Sequence, residues 1–465
     1  MGINRRSSED QSAPTRQLAR FVANLKYGQL PGKVIEKTKV CILDTLGCIL
    51  NGSTHPWGKI IGRYAEGVGG KSESVLVGSS RKVSAGSAAL AHGTMAHAFE
   101  ADDVYIPAIH HPGAVVVPAA LATAEREGAG GKGLIVAIVA GYEVMNRIGR
   151  AFTESHLLRG FFPTGTNGTF GAAAAAGSLL ELTETQLIDA LGIAGNQSAG
   201  IFEGVKEGRM TKRFGSGRAA QSGLLAGDLA KLGFTGPTSV VEGDWGYLKV
   251  YSDRWDIASV TDELGETYTL METTFKPYPC CKALHAAIDG VLGLKAQIPM
   301  DPEQVEEIII GGYEKLVKMH DIYEPSTSMA AQFSIPYVVS YALLKGRPGL
   351  EAFTDRAIRD GRVLAFARKV KMVVDPEVAP YFPANEPAKV TIDPVGGGYR
   401  HSQTVIHSKG TPQNPMTPEE FEAKFKAFAA PVLSLKRAEK VIETLKGLEE
   451  LKKVSQLSSL LGRKK

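Results

Sequence analysis

From about residue 13 to 235 the apolar positions recur at helical spacing. In "KVIEKTKVCILDTLGCIL" the residues Val34, Thr38, Cys41, Thr45 and Ile49 fall along one stripe, the mark of a helix with one buried face. Successive segments of this kind are rich in Ala and divided by Gly and Pro. "FGAAAAAGSLLEL" is so small-sided that its plain role is close helix packing. Near residue 270 the period changes. "QVEEIIIGGYEKL", "RKVKMVVDPEV", "AKVTIDP" and "YRHSQTVIHSKG" read as strands, the last two joined through the turn "VGGGY", with helical segments at about 282–296 and 326–345 between them. "NPMTPEEFEAKFKAF" then returns to helix, with Thr417 as N-cap, Pro418 in the first turn and Glu420 closing a capping box. The pattern predicts a mainly α protein: a large all-helical domain, discontinuous in sequence (1–270 and 409–465), with a smaller inserted α+β lid domain over 271–408.

A chain of 465 residues exceeds what one hydrophobic core usually serves, in keeping with two domains. With 43% hydrophobic and 22% charged residues the composition is that of an ordinary globular protein. A net charge of +4 gives no reason to expect nucleic acid, and suits a small anionic substrate if the positive charge is concentrated locally. The longest apolar stretch, "GLIVAIVAGYEVM", falls short of the roughly 18–20 residues of a membrane span, so no membrane partner is expected. "MGINRRSSED" lacks the apolar core of a signal peptide and reads as a disordered start of a cytoplasmic protein; "GRKK" reads as a disordered end. Four cysteines, Cys41, Cys48, Cys280 and Cys281, form no C-x-x-C pair, and the first two are expected as buried core thiols.

Chemistry concentrates in three segments. "MAHAFEADDVYIPAIHHPG" (95–113) sets His97, His110 and His111 beside Glu100, Asp102 and Asp103. A helix beginning after Ser84 would carry the carboxylates at its C-terminal end, where the macrodipole disfavours them. A solvated acidic helix end is the plain alternative. No metal is expected here, since His97-x-x-Glu100 lacks the second histidine of H-E-x-x-H. In the second segment, 206–233, Arg209, Lys212, Arg213 and Arg218 crowd before and into an Ala-rich helix, an arrangement suited to a carboxylate or phosphate, or else a solvated basic loop. Gly215-x-Gly217-x-x-Ala220 matches a dinucleotide fingerprint only formally, because no strand precedes it. The third segment, "TTFKPYPCCKALHAAIDG" (273–290), holds Lys276 and the vicinal cysteines between prolines, with Lys282 and His285 on the first turns of the helix that follows. Zinc bound by Cys280, Cys281 and His285 would lack a C-x-x-C pair.

In "HGTMAHAFEADDVY", "HPGAVVVPAALA", "RGFFPTGTNGTFGAAAAAG", "TKRFGSGRAAQSGLLAGDLAKLGFTGP", "VEGDWG", "FKPYPCCKALHAAID", "AAQFSIPYVV" and "NPMT" the chain resembles the MmgE/PrpD family, which includes 2-methylcitrate dehydratases, cis-aconitate decarboxylases and iminodisuccinate epimerases. The resemblance implies a homodimer without cofactor and an active site between a helical domain and a lid. By motif, Glu100 stands for the first Asp of an Asp-x-Asp-Asp run and His111 for the His-Pro histidine. Lys212 is the lysine before the Gly-rich turn, and Lys276 the lysine that opens the lid motif. These four are the expected catalytic residues. Arg213, Arg218, His285, Cys281 and Phe162 are expected to line the substrate. Phe162 and Cys281 stand where the decarboxylases have histidines, which argues against cis-aconitate itself. The expectation is a lyase of the 2-methylcitrate dehydratase type acting on a small polycarboxylate. An epimerase or a decarboxylase is the alternative among enzymes, and a non-catalytic carboxylate-binding protein the alternative outside them.

Overall fold

The computed structural model describes residues 12–207, 209–298 and 301–462, with 205 and 206 as backbone only. The "MGINRRSSED" segment and the last three residues of "GRKK" lie outside the described residues. The fold is mainly helical, and the chain divides into two compact units: Met1–Thr274 with Pro418–Lys465, and Phe275–Thr417.

The longer helices of the first unit are α1 (Pro14–Asn24), α2 (Gly32–Gly52), α3 (Pro56–Val68), α4 (Ala85–Ala96), α5 (Gly113–Glu127), α6 (Gly131–Arg150), α7 (Pro163–Leu179), α8 (Glu184–Asn196) and α9 (Thr211–Lys231). Their starts follow local chemistry. Proline opens α1, α3 and α7, where its missing N–H costs nothing. Ser84 caps α4 by accepting from Ser87 N, and Thr183 with Gln186 makes a capping box on α8. The stripe expected on α2 is buried at all five positions. α4 is buried at every residue but Gly86, and α7 at every residue but Ser178, which makes them central elements rather than surface ones. A short hairpin of β1 (Ser74–Val75) and β2 (Lys82–Val83) interrupts what the sequence suggested was wholly helical.

In the second unit α10 (His285–Gln297) leads into a four-stranded sheet of order β4-β3-β5-β6, built from β3 (Val305–Gly312), β4 (Val370–Val374), β5 (Ala388–Pro394) and β6 (His401–Val405), with α11 (Ile335–Lys345) between β3 and β4. β3 pairs parallel with β4 and antiparallel with β5, and β5 and β6 form the expected hairpin, whose turn sets Gly396 and Gly397 at positive φ. The first strand is shorter than its apolar run suggests. It stops at Gly312, and "YEKL" turns into a short helix beginning at Glu314, because the paired glycines end the run of β-branched residues. The chain then returns to the first unit as α12 (Pro418–Ala429) and α13 (Leu435–Lys446), where Lys424 Nζ reaches Asp44 Oδ1 of α2 at 2.6 Å. Among the described residues no helix is long and apolar enough to cross a membrane.

Candidate active site

The loop between α4 and α5 does not carry its carboxylates on a helix end. α4 stops at Ala96, and Glu100, Asp102 and Asp103 follow it in irregular backbone, each at most 4% exposed. The solvated acidic end is therefore excluded. Burying three carboxylates is costly unless each finds a donor, and each does. Glu100 sits in left-handed backbone at φ 52°, a strained conformation for a residue with a side chain, and its Oε1 takes a direct contact from Lys212 Nζ. Asp102 Oδ2 lies 2.6 Å from His97 Nδ1. Asp103 Oδ1 accepts from Gly113 N at 2.9 Å, the first amide of α5, and its Oδ2 from Tyr142 OH at 2.7 Å. Only glycine fits at 113: a Cβ there would come within 2.8 Å of Asp103 Oδ1 and 2.6 Å of Thr45 Oγ1. Burial outweighs these hydrogen bonds and pushes the Asp103 carboxyl up to about 7.

His111 is the least enclosed member, with 14% of its side chain accessible. Its Nδ1 lies 2.7 Å from the carbonyl oxygen of Asp103, an atom that can only accept, so the ring proton sits on Nδ1 and the basic lone pair on Nε2. Thr164 Oγ1 accepts from the His111 amide at 3.2 Å. The His111 ring stands 4.6 Å from that of His97, which burial holds in its neutral form by lowering its proton affinity. Phe162, the N-cap of α7, brings its ring to 5.9 Å from His97.

From α9 come Lys212 and Arg213, both buried, which rules out the solvated basic loop at these two positions. Arg213 Nε donates to Ala98 O at 2.9 Å, and its guanidinium lies 4.2 Å over the Trp57 ring. His55, stacked between Trp57 and Phe99, is pushed down to about 4 by burial and then by Arg213. Arg218 is not brought to this cluster; it is exposed and donates to Gln221 Oε1 at 2.7 Å. Arg209 is exposed as well and pairs with Glu207. Gly215 and Gly217 lie inside α9 rather than in a strand-to-helix turn, so the formal dinucleotide match has no counterpart in the fold.

In the second unit, Lys276, Lys282 and His285 are buried and Cys281 is half-buried. Gln332 clamps "PYPCC" from both ends of its own residue: its side chain donates to Pro279 O at 2.8 Å and its carbonyl accepts from Cys281 N at 2.9 Å. Tyr278 OH adds a bond to Asp289 Oδ1 at 2.6 Å. Lys282 Nζ meets Ser408 Oγ at 2.5 Å, and His285 Nε2 faces Cys280 O at 3.4 Å. Among the described residues Cys280, Cys281 and His285 are not gathered into a common ligand set. His97, Asp102 and His111 lie closer together, with side-chain nitrogen and oxygen atoms within 4.8 Å of one another, a grouping the sequence reading missed. Within it the 2.6 Å contact of His97 with Asp102 is a direct hydrogen bond. His97 and Asp102, which the sequence reading noted in this segment but did not count among the catalytic or substrate-lining residues, are thereby placed in the cluster. The signal available was three carboxylates in an otherwise apolar, Ala-rich stretch with His97 three positions before Glu100.

Comparison with known proteins gives this cluster a context. The MmgE/PrpD N-terminal domain matches residues 16–259 and the MmgE/PrpD C-terminal domain residues 278–450. A cis-aconitate decarboxylase of Aspergillus terreus is 26% identical over 98% of this chain and 97% of its own length. The human cis-aconitate decarboxylase is 28% identical over 96% of this chain and 94% of its own. A cis-aconitate decarboxylase-like protein of Aspergillus oryzae is 26% identical over 96% and 97%. With both domain matches in order and nearly the whole length covered by these relatives, the chain belongs to the MmgE/PrpD family.

Proposed function

We propose that this protein is a cofactor-free lyase of the 2-methylcitrate dehydratase type, acting on a small hydroxylated di- or tricarboxylate. The observation that carries the reading is His111: its Nδ1 is committed to a backbone carbonyl, which leaves a basic Nε2 on the most accessible member of a buried acid–base cluster. In the proposed step His111 Nε2 takes the proton α to a carboxylate and the C–H electrons form the double bond. The C–O bond then breaks, and the hydroxyl departs as water with a proton from the Glu100–Lys212 pair. Lys276 and Arg213 serve the substrate's carboxylates, Lys276 by its place in the family motif. The fold's small residues around the loop keep the cluster dry, which strengthens every charge contact within it.

A second reading, decarboxylation, is favoured by the names of the relatives. Against it stands Phe162, an apolar ring beside His97 where the decarboxylases carry a proton-bearing histidine. Incubation with citrate, 2-methylcitrate, cis-aconitate and related polycarboxylates in deuterated water separates the outcomes. An unsaturated acid without loss of carbon supports the dehydratase, and carbon dioxide release supports the decarboxylase. Deuterium uptake with racemisation would mean an epimerase. Thermal stabilisation without any turnover would mean a carboxylate-binding protein. We also propose a cytoplasmic homodimer; α9 and the loop after it leave Phe214, Leu225, Leu232, Phe234 and Trp245 exposed, an apolar surface of the kind subunits cover.

A further inference from the structure

Asp102 serves two imidazoles with one oxygen. Its Oδ2 lies 2.6 Å from His97 Nδ1 and 3.4 Å from His111 Nδ1. The shorter contact is a full hydrogen bond; the longer one is an electrostatic contact, because the His111 N–H is directed at Asp103 O, 2.7 Å away. His97 itself is entirely enclosed, with no accessible side-chain surface, and its Nδ1 is turned to Asp102. Its Nε2 has no hydrogen-bond partner among the described residues, so the ring is held by Asp102 rather than by a protein acceptor on its other side.

We propose that His97 is a positioning residue for the acid–base histidine, acting through the carboxylate they share: the hydrogen bond it donates fixes Asp102 and moderates the pull of that carboxylate on the His111 proton. The inference rests on reading His111 as the acid–base group. A carboxylate near an imidazole favours its protonated form, and a donor already bound to that carboxylate weakens the effect. Neutral His97 leaves the Asp102–His97 pair with one negative charge facing His111, and burial favours that neutral form. The other titratable and charged groups around the pair include Glu100 and Asp103 from the same loop and Lys212 and Arg213 from α9. On the side of α2 and α12, Lys424 bonds Asp44 Oδ1 and Ala101 O, each at 2.6 Å. Phe162 from α7 contributes no charge. Lys212 and Arg213 oppose a second proton in the cluster, so the proton affinity of His111 depends on how well Asp102 is held.

Titration of His111 in the full-length protein labelled with ring-¹⁵N histidine, assigned by His111→Gln, tests this without a substrate. Asp102→Asn should move the His111 midpoint down by about one pH unit, a tenfold change in proton affinity. His97→Leu should move it up, because the His97 donor would no longer compete with His111 for Asp102 Oδ2. His97→Gln, which keeps a polar side chain but shifts its amide to the Nε2 position, should do the same and serves if the leucine variant does not fold. His97→Asn retains an N–H at the Nδ1 position and should leave the midpoint within a few tenths of a unit. Opposite shifts in Asp102→Asn and the leucine or glutamine variant support the proposal. Unmoved midpoints, or shifts of the same sign, overturn it. Shifted midpoints in a protein that turns over no polycarboxylate would sink the lyase reading and leave this inference standing.

Discussion

The loop after α4 and the segment leading into α10 both bury ionisable side chains, yet they treat them differently. In the loop after α4, Lys212 lies against Glu100, and His97 against Asp102, so charged or proton-sharing partners face one another. Leading into α10, Lys282 meets the hydroxyl of Ser408 and His285 a backbone carbonyl. There burial lowers the proton affinity of Lys282, opposed only in part by Glu386, Asp289 and the two cysteines. The first arrangement can pass a proton between its members; the second holds backbone in place. Burial of a titratable group is therefore a poor sign of chemistry by itself, and the identity of its nearest partner is the better one.

The sharpest way to break this comparison is one substitution made at both lysines. Lys212→Met leaves Glu100 a buried carboxylate stripped of its cation and should cost about 3–5 kcal/mol of unfolding free energy, together with activity. Lys282→Met removes a cation that meets a hydroxyl and should change stability by less than about 1.5 kcal/mol, because the volume is nearly conserved. Denaturant titration of the two variants decides it, and equal losses would erase the distinction. Next in size is His111→Ala, expected to lower turnover of whichever polycarboxylate the protein accepts at least about a hundredfold, with the fold intact by circular dichroism. Undiminished turnover would remove His111 from the chemistry.

A third test reads pH-dependent stability. Asp103, shifted from 3.8 up to about 7, binds a proton more tightly folded than unfolded. Its contribution is therefore present in full below about pH 4 and is lost as pH rises through about 7. Buried His92, His110 and His156, each pushed from 6.5 down to about 4 by burial, act in the other direction and withdraw stability as pH falls from about 6.5 to 4. Asp103→Asn keeps an acceptor for Gly113 N, reverses the bond with Tyr142 so that its hydroxyl accepts from the amide, and deletes the first trend. Relative to the parent, the variant should gain stability at pH 7.5 compared with pH 4.5. A pH-independent difference in denaturation midpoints would show that Asp103 ionises normally.

Periodicity made most of the architecture legible. The α2 stripe, the start of α4 after Ser84 and the β5–β6 hairpin all lie where the residues place them, because each depends on neighbours within a few positions. The site was legible in residue types but less so in arrangement. After α4 ends at Ala96, Glu100 takes left-handed backbone and meets Lys212, a partner more than a hundred residues away, and local propensity carries no trace of that pairing. His97 was passed over for the same reason, since its partner matters more than its position. Arg218 looked equivalent to Lys212 and Arg213, but it lies on the exposed side of α9, one and a half turns along.

The crossing of α4 and α9 bears on how such a protein can diversify. A Cβ on Gly93 would stand 2.7 Å from Gly217 Cα, and one on Gly217 would strike Leu90 O and the Thr94 side chain. At Gly93 and Gly217 the two backbones touch, with only the small Thr94 and Ser216 side chains beside the contact. Helices that meet through side chains can slide as those side chains change over generations, and a site built across them drifts with the sliding. Here Lys212 and the loop carrying Glu100 are fixed to a junction that has no such slack. Change in what the proposed site accepts is thereby channelled to residues that can be exchanged without moving a helix, and Phe162, the N-cap of α7, is a position of that kind.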